Sequence, residues 1–353
     1  RQMCIRDSSG GYTQSDGGTK NSDFKRRRAY YTGSYTSRYA DLVWQAGLSS
    51  QDYGASTFYS AKFDNQWEAT RRIITSAQAD IKPFGDERLV ITPQAYWHRD
   101  VDHYQLTRGK EGAKNGENYH RTDVYGASLN AHATWLLGKT AVGMDIRKEH
   151  ILSTAYGDLL PENEWKDIHG TDRRYDHRGD RTNTSLFLEH NVILGGFTLS
   201  AGVLANRNTG LDGDFRFYPG VDLSYRPNEM WKFYASWNKA LRVPTYTDLY
   251  TSNSVQQGDT GLRPERTSTF KAGTRFRTRG VEAVVSGFYS KGNDIIDWVY
   301  ETEESRKYHA MNIGKLDNMG YSVDATLNMT ELLPGSFVTR IKAGYAASTS
   351  ATP

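Results

Sequence analysis

A single cysteine, Cys4, stands in 353 residues, so no disulfide within the chain can hold the fold together. Long apolar runs are missing too, since nowhere do more than three of Ala, Val, Ile, Leu, Met, Phe, Trp, Tyr or Cys follow one another. That excludes a membrane-spanning helix, which needs roughly 20 largely apolar residues in a row. Proline is scarce at 9 residues, whereas Gly 33, Tyr 23 and Trp 8 favour turns and strands. Charge of one sign does not accumulate: 44 basic against 41 acidic residues leave +3, which gives no electropositive footprint for nucleic acid. The chain also opens without the apolar core of a secretory leader. Residues 1–8 read RQMCIRDS, the kind of string that translated adapter leaves, and the fold is expected to occupy residues 9–353.

What is present is alternation with a period of two. Tyr125, Ala127, Leu129, Ala131, Ala133 and Trp135 interleave with Gly126, Ser128, Asn130, His132 and Thr134. Tyr321, Val323, Ala325, Leu327 and Met329 interleave with Ser322, Asp324, Thr326 and Asn328, and the segments from Phe197 and Trp231 repeat the pattern. Neither apolar set carries a charge. An Arg or Lys facing lipid at the midplane costs about 2–4 kcal/mol, so the sorting is what a strand with one lipid face and one watery face requires. About fourteen strands are predicted, beginning near residues 24, 36, 66, 87, 121, 140, 182, 197, 215, 229, 266, 281, 319 and 336. At residues 24–31 both faces are basic, with Arg26 and Arg28 opposite Lys25 and Arg27, and part of that strand must lie outside any bilayer.

The connections alternate as well. Tight ones fall at 82–87, 138–139, 195–196, 227–228, 279–280 and 333–336; wide ones fall between them at 101–120, 153–181, 207–214, 241–265 and 291–318. Short turns at one end and long loops at the other are the pattern of an antiparallel transmembrane β-barrel in an outer membrane, with the long loops outside the cell. A soluble sandwich also alternates, but its inward face is bulky Leu and Ile; here the apolar faces lean on Ala and are tipped with Trp and Tyr.

Several groups in the loops could carry chemistry. Arg173, Arg174, Arg178 and Arg181 could clamp an anionic ligand, their alternative role being contact with lipopolysaccharide or solubility. Tyr246, Tyr250, Trp298 and Tyr300 lie in or beside two of the long loops, where amphipathic rings suit a bulky rigid ligand or, alternatively, an outer aromatic girdle, the girdle being favoured for Trp298 and Tyr300. His150, His169 and His177 stand in or beside an acidic stretch in which Asp176 and Asp180 could offer oxygens to Ca²⁺, against the plainer reading of a hydrated loop. Asp100, Asp102 and His103 could be read as an acid–histidine pair of an outer-membrane protease, against the plainer reading of a solvated cluster beside a loop tip, and no nucleophile elbow or zinc spacing accompanies them. No catalytic residue and no cofactor are expected.

The stretch from Trp237 reads WNKALRVPTYTDLYTSNSVQQGDTGL and continues RPERTSTFKAGTRF. It resembles the motif block of TonB-dependent outer-membrane receptors: Arg242, Pro244 and Thr245 at a strand end, then Asp248, Leu249 and Tyr250, then Leu262, Pro264 and Glu265 before a strand with Ala272 and Gly273 at its middle. The segment Gly54 to Ser60 and the Asn312, Ile313, Gly314 approach to Gly320 are further matches, and the vitamin B12 receptor branch is resembled weakly. Asp259 departs from the family's usual Asn. The resemblance implies a barrel of 22 strands, a plug domain and a TonB box outside this sequence, and TonB-driven import of a scarce bulky nutrient such as a siderophore, cobalamin or oligosaccharide. It also implies membrane lipid, lipopolysaccharide, the TonB complex and, for some ligands, a partner lipoprotein as partners. The motif residues themselves read as architecture, with Pro244 ending the ladder and Glu265 accepting from a turn. A passive porin or adhesin would share the barrel without the plug.

Overall fold

The computed structural model describes residues 3–59, 62–211, 213–253, 255–300 and 307–351. Fifteen long strands follow one another: β1 Met3–Ser15, β2 Phe24–Thr36, β3 Ala40–Ser56, β4 Gln66–Ile81, β5 Leu89–Gln105, β6 Glu117–Trp135, β7 Gly138–Ser153, β8 His177–Leu194, β9 Phe197–Asn208, β10 Arg216–Tyr225, β11 Trp231–Arg242, β12 Glu265–Thr278, β13 Val281–Asn293, β14 Lys315–Asn328 and β15 Arg340–Ala351. Each pairs antiparallel with the next in chain order, in one barrel-like sheet. Among the described residues six further strands, each of two to five residues, lie in the long loops, which brings the total to twenty-one.

The class is therefore the expected one, and the count of fourteen is corrected. All fourteen predicted strands exist; β1 is the addition in the main sheet, and residues 3–8, set aside as lying outside the fold, pair along it with 31–36 of β2. The six short strands were hidden because none is long enough to show a period. Connections follow the predicted asymmetry except that eleven residues, with a helical turn at Met329–Leu332, stand where a tight turn at 333–336 was expected. Residues 37–39, 82–88, 136–137, 195–196, 226–230, 279–280 and 329–339 join strands at one end; 16–23, 57–65, 106–116, 154–176, 209–215, 243–264 and 294–314 join them at the other.

Register decides which side chains share a face. Leu129 pairs with Met144, Met144 with Leu186, and Leu186 with Ala205. Further along, Val221 pairs with Trp237, Trp237 with Phe270, and Phe270 with Tyr289. These stripes do not press against a second layer. Leu129 is 51% exposed, Leu188 49% and Val323 40%, so a band of Leu, Val, Met and aromatic side chains covers the outer face uncovered by protein. Monomeric soluble proteins do not present so large an apolar surface to water. The inner face is polar: Arg147 meets Glu149 at 3.0 Å, Arg275 meets Glu282 at 2.8 Å, and Ser286 bonds Ser322 at 3.0 Å. Glycine lets inner rings lie flat on neighbouring strands. A Cβ at Gly126 would fall 1.9 Å from the Tyr96 ring of the adjoining strand.

Because Ala131 pairs with Val142 on the outer face while Asn130 faces inward opposite Gly143, Ala131→Arg is expected to block membrane assembly by about 2–4 kcal/mol. Asn130→Arg should be tolerated. Heat-modifiable gel mobility of outer-membrane fractions measures both, and equal behaviour of the two variants would contradict the face assignment.

Candidate functional site

The long-loop end is where side chains of many strands and loops converge. β11 stops at Arg242 because Pro244, fully buried two residues on, cannot donate to a ladder. The chain then enters α1, Tyr246–Tyr250, through a capping box: the Asp248 amide donates to Thr245 Oγ1 at 3.1 Å and the Thr245 amide to Asp248 Oδ2 at 2.9 Å. Arg242 reaches back to Asp248 at 3.2 Å and across to Glu265 at the start of β12. Glu265 also accepts the Ile296 amide at 2.9 Å, which fastens the next long loop to the same point.

That second loop packs against the first. Leu262, Ile296 and Ala310 form a buried cluster, with Leu249 and Trp298 against it, and Pro264 is buried beside Leu262. Gln256–Gln257, Ile296–Tyr300 and Tyr308–Asn312 make a three-stranded sheet out of both loops. Asn312 ties the corner, accepting the Arg263 amide at 2.9 Å and donating to the carbonyls of Arg263 at 3.0 Å and Asp294 at 2.7 Å. The guanidiniums of Arg266 and Arg263 hold the Asp294 carboxyl below the usual carboxylate range. Trp298 and Tyr300 are thus loop-sheet residues and not members of a girdle on the main strands. A strand of five residues inside a loop leaves no periodic trace, which is why sequence reasoning misplaced them.

The loop of residues 154–176 has its own interior: Leu160, Ile168 and Tyr175 pack on Tyr119 of β6 and Leu152 of β7, with Trp165 alongside. Here the four arginines separate. Arg181 faces inward from β8, bound to Glu149, donating to the Pro244 carbonyl at 2.8 Å and lying 4.6 Å from the Tyr246 ring centroid. Gly179 makes this seat possible, since a Cβ there would come 2.8 Å from the Tyr246 ring. Arg178 stands between Asp180 at 3.3 Å and Glu164 at 3.7 Å; Arg174 pairs with Asp167 at 3.0 Å; Arg173 lies 3.6 Å from Glu117. The structure joins Arg181 to Tyr246, and Tyr250 lies against Tyr246 with centroids 6.2 Å apart, but it does not gather the four cations at one point.

The Asp176 carboxylate accepts from His177 Nδ1 at 2.7 Å and the Asp180 carboxylate from His150 Nδ1 at 2.8 Å, while His169 is exposed in the loop. Among the described residues no group of three or more His, Cys, Asp or Glu side chains is placed to hold a metal. Asp102 and His103 do not form an acid–histidine pair. Successive strand residues leave opposite faces, so Asp102 lies inward against Glu68, and His103 turns to Glu117 at 2.9 Å and stacks on Tyr119.

One inner cluster escaped the sequence reading. Glu68 accepts the hydroxyls of Tyr53 and Tyr59, while Tyr104 donates to Gln66 at 2.5 Å and Gln66 holds the carbonyls of Ser56 and Phe63. Together they seal the end of β3 and the loop after it; Ser60, the last residue of the matched segment there, lies outside the described residues. The signal available was parity, since Tyr53, Glu68 and Tyr104 share the inner face, but only the strand register places them side by side.

A family model described as TonB dependent receptor-like, beta-barrel matches residues 5–353. Among solved structures, the FrpB iron transporter from Neisseria meningitidis superposes with a TM-score of 0.68 at 16% identity, covering 99% of this chain and 56% of that one. The copper transporter OprC gives 0.72 at 16% identity over 98% and 56%, and the ferric citrate transporter FecA gives 0.70 at 14% over 99% and 56%. The chain spans a little over half the length of these structures, and at such identities the likeness is one of fold.

Two measurements test the tied loops. Glu265→Ala removes the acceptor for both Arg242 and the Ile296 amide, a loss of about 1–3 kcal/mol for groups left unsatisfied; trypsin is expected to cut at Lys307 while the main sheet stays resistant. Acid should act through Asp294. Its lowered folded pKa means the ion pairs contribute fully above the ordinary value of 3.8 and lose that contribution as pH falls below it. Hydrogen exchange of residues 294–300 should therefore rise below about pH 4, and Asp294→Asn should show the raised exchange already at pH 7.

Proposed function

Because this chain belongs to the TonB-dependent receptor β-barrel family, whose model it matches over nearly its whole length, we propose that it forms the ligand-gathering wall of an active outer-membrane transporter. The short turns then face the periplasm and the long loops the exterior. The observation that carries this reading is the division of one sheet into an uncovered apolar outer face and a polar inner face crowned by interlocked loops. A plug inside the wall, pulled by TonB, would supply the gate, as the family resemblance implies.

The ligand class follows from the rim. Arg173, Arg174 and Arg178 have side chains 32%, 53% and 49% exposed, each facing a carboxylate of the protein. An anionic chelate of a metal ion can displace the exposed Asp167 and Glu164 from Arg174 and Arg178 and add to Arg173, whose partner Glu117 stays buried, and the inward Tyr246 and Tyr250 offer ring faces to its organic part. Arg181 is fixed by Glu149 and Pro244, and its role is to hold α1 against the wall. The matched structures whose names speak of iron, copper and ferric citrate support a metal chelate over cobalamin or oligosaccharide.

The test is uptake of radiolabelled ferric chelates by cells lacking the gene and by cells carrying it back. Uptake should saturate, require the gene, and stop when a protonophore collapses the proton gradient. Replacing Arg173 and Arg178 by Ala should raise the half-saturating concentration roughly tenfold, the order expected for losing charge-assisted contacts. Linear uptake indifferent to the protonophore would instead identify a passive porin.

A further inference from the structure

Near the long-loop end the outer wall carries two cations that no acidic group answers. Arg27 of β2 pairs in register with Ser50 of β3, and Ser50 with Arg71 of β4, so the three side chains leave the sheet on the outer face in one row. The arginine Cα atoms are two strand spacings apart, about 9.6 Å, which lets both side chains converge above the Ser50 hydroxyl. Both are exposed. Arg71 makes no hydrogen bond or ion pair among the described residues, and Arg27 has only the Tyr12 ring, 5.8 Å away. Their neighbours differ. Arg72, pointing inward, holds Asp100, and Arg99 and Arg121 share Asp123.

The surroundings of the pair are graded along the strands. One step toward the loops, Lys25 faces Asp52; one step toward the turns, the same face becomes Ala29, Leu48 and Ile73, then Tyr31 and Ala46. Leu48 is 57% exposed. An unanswered arginine pair directly above an apolar strip matches a molecule with a phosphate at its head and hydrocarbon beneath, because guanidinium forks bind phosphate oxygens two at a time.

We propose that Arg27 and Arg71, with Ser50 between them, hold the phosphate of a phosphorylated lipid headgroup from the surrounding leaflet, whose acyl chains lie along Leu48, Ile73 and Tyr31. The inference rests on the reading of the outer face as lipid-facing. A lipid, not a free anion, is the occupant because the apolar strip begins one side-chain step below the cations. Lys239, Ser268 and Lys291 repeat the spacing on β11, β12 and β13. What differs there is the serine, since Trp237 donates to the Ser268 hydroxyl at 3.0 Å and its ring lies beside the Lys239 ammonium, and the cations are lysines without a planar fork.

Native mass spectrometry of the detergent-extracted full-length protein, titrated with diphosphoryl lipid A or with phosphatidylethanolamine, tests the proposal. The wild type should retain lipid A selectively; Arg27→Gln with Arg71→Gln should lower that retention about tenfold or more, and the Lys/Lys variant should fall between. Where heat-modifiable mobility shows the double variant unfolded, Arg71→Gln alone is read, with a severalfold loss expected. Equal retention by wild type and the folded Gln variant overturns the site, and displacement of lipid A by millimolar inorganic phosphate overturns the lipid as occupant. Tryptophan quenching by brominated acyl chains in vesicles separates the two premises: quenching without lipid A selectivity removes only the arginine site, and no quenching removes the lipid-facing wall itself.

Discussion

Backbone amides and carbonyls that meet no water must meet each other, and this constraint governs the molecule. A sheet satisfies them between strands and leaves the side chains free to serve two solvents. Each strand must then keep its period of two without a slip, because one misplaced residue sends every charge of that strand into the apolar band. The unbroken registers from β5 to β14 are the response to that penalty. The register shift between Gly54 and Ser56, by contrast, sits at the loop end of β3, above the band, where an extra residue costs little.

The same economy explains the interior. A wide polar lumen offers no hydrophobic core, so inner side chains must satisfy one another across strands. Arg147 with Glu149, Arg275 with Glu282, and the serine pair at 286 and 322 do so by direct contact. Where a ring faces inward, glycine on the next strand gives it a flat seat, as Gly126 does for Tyr96 and Gly179 for Tyr246. The second seat matters for function, because it lets a helix from a distant loop settle against β8 and places Arg181 between wall and loop.

How much of this was readable before any coordinates depended on range. Faces, turns and the long-loop end follow from period and turn chemistry, which are local, and fourteen strands were found that way. β1 was missed because residues 1–8 were set aside as foreign to the fold and residues 9–15, SGGYTQS, show no apolar alternation, though 3–15 pair along β2 without a break. The fates of the arginines were unreadable, since Arg181 finds the Pro244 carbonyl 63 residues away and Arg173 finds Glu117 across another loop. Trp298 was set on a girdle for a related reason: its strand is only five residues long and pairs with residues 308–312 of the same loop, a partner that no local period reveals.

Loops as long as residues 154–176, 243–264 and 294–314 are uncommon unless they carry structure of their own. A floppy rim would have to be ordered at the moment of binding, and that entropy would be subtracted from affinity. Here the ordering is already done: two loops share a three-stranded sheet and an apolar cluster, and the third encloses its own. Asn312 ties one loop to the other, and Glu265 at the start of β12 ties the second loop to the strand exits. The two loops so joined are anchored at the strand exits through the few charged contacts of Arg242, Asp248 and Glu265, and the affinity of the rim depends on those contacts more than on either loop taken separately.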